Sequence, residues 1–430
     1  MSRCLAPLGL ALAVLAGGSP AACQEPAAAE ARPPVLERLT FDEAVQHALS
    51  RNPSVSEAAQ AILRAEALLS EARGVFYPSA TGSVATTVLD ASRGFSGNVV
   101  QPRVQTGFAA TVSYQVLAAA DWAAKNQAAD QAGIARVSAQ ETRRNIAVAA
   151  AQAYLAVIAA ERQAEITQRN RDTARALEEY ARTRLEAGQG SRLDYVRAVE
   201  QRATSQGLWE LAELAVSQAQ EALGVVVFAN GPVDANGEPV FPPTPPPVDD
   251  TWLDARPDVR LSNAQLAAAD RVVSDAWKNW LPTLTASFTP SYITPAGLFQ
   301  PSRTWRALFS LNVPIFDPTL RPDKRVRVAE RETARLQLDA LTVQARSEVR
   351  VAQQAVRSNE RIVASTREAA ENAAEALRIT GIAYRAGATT NIEVIEAQQD
   401  ARNSEIGAAV AEDRLRQARL DLLVALGRFP

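Results

Sequence analysis

Few side chains in this sequence are equipped for catalysis. His47 is the only histidine among 430 residues, which argues against histidine-based catalysis and excludes a multi-histidine metal site. It stands in a polar helical segment and is expected to be exposed. Both cysteines, Cys4 and Cys23, fall at the N-terminus, so the body carries no disulfide and no cysteine pair for a metal. No phosphate loop or dinucleotide fingerprint occurs. The chain is therefore expected to be no enzyme and to hold no cofactor. What remains is carboxylate electrostatics. Glu393 and Glu396 stand three apart on a helix that follows Gly387, so they share one face. Such a pair can attract cations and repel anions, or it can be a plain solvated acidic face.

The elements that position these carboxylates are written twice. NPSVSEAAQAILRAEALLSEARGVFYPSATGSV, from Asn52, runs in step with RPDVRLSNAQLAAADRVVSDAWKNWLPTLTASF, from Arg256; Pro53 matches Pro257 and Pro78 matches Pro282. Further on, RTRLEAGQGSRLDYVRAVEQ matches GIAYRAGATTNIEVIEAQQD, and each copy closes on Ala-Leu-Gly, at Gly224 and Gly427. Repeats of about 200 residues are too long for solenoid units, so the chain reads as two fused, equivalent halves. The first half spans 39–228 and the second 257–430. The Pro-rich stretch 229–256 reads as a stiff, extended connector.

Each half has the same order of elements. A helix comes first, over 41–76 or 257–281, with Thr40 and Glu43 forming a capping box, and a proline ends it. Two strands follow. Val104, Thr106, Phe108, Ala110, Val112, Tyr114 and Val116 alternate with polar or small residues, and Trp305, Ala307, Phe309, Leu311 and Val313 alternate with Thr304, Arg306, Leu308, Ser310 and Asn312; period two with one apolar face is the strand signature. Their partners fall near 80–91 and 283–293. A very long helix then covers 119–186 or 319–385. In the second copy Leu338, Leu341, Ala345, Val349, Ala352 and Val356 recur every three or four residues, the stripe of a helix packed lengthwise. Such a helix extends on the order of 100 Å. A glycine turn and a last helix complete each copy.

The N-terminus reads as an export signal over 1–22. Arg3 is followed by a short apolar run and small residues up to Ala22. Cys23 is then either the acylated first residue of a lipoprotein or an unmodified cysteine, although Pro20 stands where leucine is normally wanted. Residues 23–38 are expected to lack structure. A formal net charge of −3 argues against nucleic-acid binding. No stretch is long and apolar enough for a transmembrane helix, so a membrane-spanning form must use strands. Strands of about ten residues fit a bilayer, but four cannot close a barrel. Two copies would give eight strands, three twelve and four sixteen, and the strand count does not choose among them.

The order of elements, the duplication, the opening LTFDEAVQHALSRNPSVSEA and the turns AGQGSRLDYVRA and AGATTNIEVIEA resemble the TolC-like outer-membrane efflux family over about 39–427. The resemblance implies a mainly α protein with a transmembrane β-barrel. It implies a homotrimer with a twelve-strand β-barrel in the outer membrane of a Gram-negative bacterium and a twelve-helix α-barrel in the periplasm. It also implies outer-membrane lipid around the barrel, and a periplasmic adaptor and an inner-membrane pump as partners. The exported substrate (drug, metal, lipid or protein) is not legible. By the same resemblance Glu393 and Glu396 line the entrance as stacked carboxylate rings. Tyr384 would hydrogen-bond Asp194 as a latch, unless it is an ordinary packing aromatic. Thr389 stands where an arginine completes the lock in better-known members, which leaves Arg192 or Arg385 for that role. The turns Gly188, Gln189, Ser191, Arg192, Leu193 and Gly387, Thr389, Thr390, Asn391, Ile392 are the expected adaptor contacts; glycine there also permits the reversal, and Ser191 or Thr390 caps the next helix. Trp277, Trp280 and Trp305 flank the strands as a candidate aromatic belt. The competing reading is a periplasmic coiled-coil adaptor or scaffold that never enters a membrane.

Overall fold

A computed structural model describes residues 36–243, 245 and 249–429. The expected signal and Cys23 lie outside the described residues. The first half runs β1 (Glu37–Leu39), α1 (Phe41–Arg51), α2 (Pro53–Gly74), β2 (Ser79–Val88), a small loop hairpin of β3 (Arg93–Phe95) and β4 (Asn98–Gln101), β5 (Val104–Leu117), α3 (Ala119–Glu186) and α4 (Arg192–Val227). After β6 (Val233–Ala235) the second half runs α5 (Trp252–Ala255), α6 (Pro257–Asp275), a 3-10 turn over Ala276–Trp280, β7 (Thr283–Thr294), β8 (Arg303–Asn312), α7 (Leu320–Arg385) and α8 (Asn391–Ala425). No helix among the described residues is long and apolar enough to cross a membrane.

The capping box forms as expected. The Glu43 N–H donates to Thr40 Oγ1 at 3.4 Å, and the Thr40 N–H and hydroxyl each donate to the Glu43 carboxylate at 2.9 Å; the bonds to the carboxylate hold it below its ordinary range. The single helix expected over 41–76 is, however, two helices. Pro53 has no N–H to give and drives Asn52 to φ −66°, ψ 126°. Asn52 then caps α2 through its side chain, which accepts from the Ser54 N–H at 3.0 Å.

The break has a purpose in the packing. Asn52 Nδ2 donates to the Val226 carbonyl at 3.1 Å, so α2 begins where α4 ends. The 22-residue α2 and 36-residue α4 therefore lie end to end along the 68-residue α3. The second half repeats this. Arg256, just before α6, donates to the Ala425 carbonyl at the end of α8 at 3.1 Å, and α6 and α8 line up along the 66-residue α7. Helix C-termini leave carbonyls without intrahelical partners, and at both joints a side chain supplies one. Arg144 adds a second cation there, donating to the Val424 carbonyl at 2.9 Å, where the helix dipole favours positive charge.

The core sits around these joints. Tyr154 is fully buried among Ala147, Ala150, Ala151, Val157, Leu223, Val227, Val233 and Leu420, and its hydroxyl donates to the Gly237 carbonyl at 2.8 Å. The alanine-rich segment 147–160 of α3 thus supplies much of this core. The Ala345, Val349, Ala352 stripe packs with Trp252 and Leu426 in the second half. Two expectations are corrected here. Glu37–Leu39, at the end of the stretch expected to lack structure, is a strand paired in parallel with Val233–Ala235. The connector is likewise not uniformly extended, because Val233, Phe241 and Trp252 are buried and anchor it. The repeat is also inexact at its ends. Gly224 lies inside α4, which runs on to a left-handed cap at Phe228 (φ 57°), whereas Gly427 (φ 65°) is itself the left-handed residue after α8. Nor is His47 exposed as expected: it is half-buried, with Nδ1 3.9 Å from the Glu37 carboxylate.

A carboxyl pair, Glu161 of α3 and Asp234 of β6, makes this part of the core sensitive to rising pH. Burial first, then hydrogen bonding and repulsion from Asp234, push the Glu161 carboxyl up to about 8. Burial opposes the ionisation of Asp234 too, but bonds from Glu161, Gln220, the Ala235 N–H and Arg38 hold it below its ordinary value. Glu161 thus keeps its proton while Asp234 stays charged. A carboxyl raised in the folded state contributes stability that is complete below its unfolded value and lost as pH rises through about 8. The thermal midpoint should fall as pH rises from about 5 to about 8 and level off above that, and Glu161→Gln, which cannot ionise, should flatten that fall. An unchanged slope in the variant would show that Glu161 is not the titrating group.

Candidate functional site

Two regions could act: the sheet at one end of the helices and the glycine turns at the other. The four strands form one antiparallel sheet in the order β2-β5-β7-β8. The two hairpins, one from each half, join where β5 pairs with β7, and β2 and β8 are left as open edges. Val84 stands opposite Phe108, Phe108 opposite Tyr292 and Phe288 opposite Ala307, and the β5–β7 register shifts between Gln115 and Leu117 near the helical end.

The faces of this sheet are reversed relative to a soluble one. Phe108, Val112, Tyr114, Phe288 and Tyr292 are exposed, while the alternate residues Gln105, Thr111, Ser113, Ser287 and Ser291 are half-buried. The polar face is laced by its own hydroxyls: Ser79 to Ser113 at 2.8 Å, Thr111 to Thr289 at 3.2 Å and Ser291 to Thr304 at 2.6 Å. Alternation that turns apolar residues outward and polar ones inward is the pattern of a barrel wall in lipid. Trp277 and Trp280 stand exposed in the 3-10 turn at the helical end of β7. Trp305 lies within β8, opposite Pro290, rather than beside the strand.

The two turns at the far end are built alike. Gly188 (φ 71°) and Gly387 (φ 76°) take the left-handed conformation. In each, the next residue closes the helix by the same long bond, Gln189 N–H to the Arg184 carbonyl and Ala388 N–H to the Ala383 carbonyl, both 2.8 Å. The following caps differ. Ser191 Oγ accepts from the Leu193 N–H at 3.1 Å, but Thr390 makes no such bond. Thr389 and Thr390 instead both donate to the Glu393 carboxylate, Thr390 at 3.3 Å. Glu393 therefore serves its own helix start, where the dipole favours an anion. Glu393 and Glu396 are both exposed, and Val394 and Ile395 on the opposite side are buried. The shared acidic face is present.

Tyr384 is buried against Leu177, Ala181, Ala198, Val394 and Ile395, with its ring edge-on to Tyr180 at 5.7 Å. Burial and the charge of Asp194 raise its phenol above the ordinary value, against the pull of Arg184. Asp194 acts on Tyr384 through that charge; no hydrogen bond joins the two side chains in this structure. At the tip the halves are joined by Asn391 Nδ2 donating to the Asp194 carbonyl at 2.8 Å. The cation at this site is neither Arg192 nor Arg385, which bonds back to the Gly381 carbonyl at 3.2 Å. It is Arg184, 5.8 Å from the Tyr180 ring and 5.5 Å from Tyr384, within cation–π range. The four-residue spacing of Tyr180 and Arg184 was the available signal for that pairing. Among the described residues no group of three or more His, Cys, Asp or Glu could hold a metal ion.

The outer membrane efflux protein model matches residues 44–226 and 250–428, one segment in each half. The chain belongs to that family. Its folded form is similar to the outer membrane channel CmeC of Campylobacter jejuni (TM-score 0.79, 16% identity, covering 90% of this chain and 86% of that one). It is also similar to the outer membrane protein VceC of Vibrio cholerae (0.77, 17%, 90% and 96%) and to the open state of the MtrE channel of Neisseria gonorrhoeae (0.77, 20%, 90% and 88%). Nodulation protein T of Rhizobium leguminosarum bv. viciae is 30% identical over 172 residues, 39% of this chain and 36% of that protein. The match thus spans little more than a third of that relative's length. Family membership places the chain in the outer membrane, reaching into the periplasm, and disfavours an adaptor without a barrel. The family and the structural neighbours are channels rather than enzymes.

Proposed function

We propose that three copies of this chain form a passive exit duct, with no catalytic step, for substrates delivered by an inner-membrane pump through a periplasmic adaptor. The observation that carries this reading is the reversed sheet, with Phe108, Val112, Tyr114, Phe288 and Tyr292 outward. Two open edges inside lipid would leave a row of unpaired backbone groups, each costing several kcal/mol. Because β2 and β8 are the edges of an even-stranded antiparallel sheet, β8 of one copy meets β2 of the next in antiparallel sense, and a ring of copies closes without a fault. The α2, α4 and α6, α8 lines continue such a ring as the periplasmic tunnel. The glycine turns are its adaptor-facing tips. Fractionation tests the reading directly: the processed protein should leave the outer membrane only with detergent, as a trimer that conducts in planar bilayers. A monomer soluble without detergent would end it.

The tip is proposed as the gate, with Tyr384 and Asp194 as its latch. Their electrostatic contact and the Asn391 bond to Asp194 support that reading. Tyr384→Phe combined with Asp194→Ala should raise single-channel conductance, and unchanged conductance would remove the latch from the account.

A further inference from the structure

The apolar face of the sheet is not smooth. Gly82, Ala110 and Pro290 fall in one cross-strand row, and these short side chains make the floor of a groove of about 830 Å³. One wall is the next row, where the rings of Phe108 and Tyr292 stand 6.3 Å apart. Phe288 forms the other wall, and Trp305, 6.0 Å from it, closes the β8 end. Four strands about 4.8 Å apart give the groove a length on the order of 14 Å, the reach of an acyl chain.

One charge stands on this face, whose polar residues are otherwise the Thr86, Thr106, Thr294 row beyond Tyr292. Arg303 is opposite Tyr292, lines the groove and has no hydrogen-bond or carboxylate partner among the described residues. Its neighbour Arg306 belongs to the polar face, opposite Thr289. A guanidinium turned toward lipid is unfavourable unless it reaches an anion at headgroup level, and its planar fork suits a phosphate.

We propose that this groove is a lipid-binding site: one acyl chain lies on the Gly82, Ala110, Pro290 floor, and the phosphate of an anionic membrane lipid sits on Arg303. The inference rests on the barrel reading above. It gives each copy an anchoring point in the membrane, chosen by headgroup charge.

Trp305 reports occupancy. The full-length trimer is reconstituted in vesicles containing lipid brominated on its acyl chains, either phosphatidic acid or phosphatidylcholine. Its signal is taken as wild type minus Trp305→Phe. Phosphatidic acid should half-quench Trp305 at a mole fraction about fivefold lower than phosphatidylcholine, the effect of one arginine at an anionic surface. Arg303→Gln should abolish that preference, and Arg306→Gln should keep it. Gly82→Leu should weaken it by filling the floor; a Cβ there meets nothing within 4 Å, so the variant should fold. Equal quenching by both lipids, or equal loss in Arg306→Gln, overturns the headgroup site, and full preference in Gly82→Leu overturns the groove. If the protein fails to enter vesicles at all and neither lipid quenches, it is the barrel reading that has failed.

Discussion

Replacing Arg256 by alanine is expected to lower the unfolding free energy by about 3 kcal/mol, the low end of the range for breaking a buried ion pair. Arg256 is 4% exposed and lies at the joint between α8 and α6. It grips Asp258 with two bonds, at 3.0 and 2.6 Å, reaches Glu348 at 2.9 Å and supplies the Ala425 carbonyl. Burial alone would raise the Asp258 carboxyl, but Arg256 holds it below its ordinary range. Removing the guanidinium leaves the Asp258 carboxylate with only the Val259 N–H as donor and takes from the Ala425 carbonyl its side-chain donor. The low end applies because Asp258 keeps 21% of its side chain in contact with solvent and retains the field of Arg144. Arg256→Lys should recover only part, since an ammonium cannot hold Asp258 in a fork. Arg256→Met with Asp258→Asn should cost less than Arg256→Ala alone, because no charge is then stranded. Thermal and denaturant unfolding followed by helical circular dichroism would rank the three; equal losses would mean that the joint is held by packing.

Much of this joint was hidden in the sequence, and the reason is physical. The duplication, the strands and the 68- and 66-residue helices are local or periodic features. Pro53, Pro78, Gly188 and Gly387 punctuate them wherever a backbone N–H or a negative φ fails. These follow from composition and spacing, and they emerge within about three residues of their expected bounds. What periodicity does not encode is which distant ends meet. Arg256 and Ala425 are 169 residues apart, Asn52 and Val226 are 174 apart, and Asp194 and Asn391 are 197 apart. Each bond depends on two helices being laid end to end or side by side, which the stripe on either one leaves open. The strand β1 was missed for the same reason, because three residues have no readable period and exist only through their pairing with Val233–Ala235. At the tip the acidic face followed from three-residue spacing alone. The engagement of Glu393 by two threonines and the cation over two tyrosine rings required the turn geometry.

That geometry sets the second large effect. Neutralising both gate carboxylates, Glu393→Gln with Glu396→Gln, is expected to reduce cation preference about tenfold. In the proposed trimer two carboxylates come from each of three copies. At roughly 7 Å from a permeating cation each contributes about 0.6 kcal/mol in water. Six together, damped to a little under half by a Debye length of about 8 Å, give about 1.5 kcal/mol, or a factor of about ten in occupancy. The two positions should not be equal. Glu393 is engaged by Thr389 and Thr390 at the start of α8, so part of its charge already serves the helix. Glu396 makes no such bond and faces solvent. Glu396→Gln alone should therefore cost more selectivity than Glu393→Gln, whereas Glu393→Gln should cost more stability at the tip, by about 0.5 kcal/mol for a first-turn acid. Reversal potentials in a salt gradient across a planar bilayer measure the first difference, and the preference should shrink in all variants as ionic strength rises. A cation preference that survives both substitutions would move the selecting charges elsewhere in the tunnel and leave Glu393 and Glu396 as a solvated acidic face.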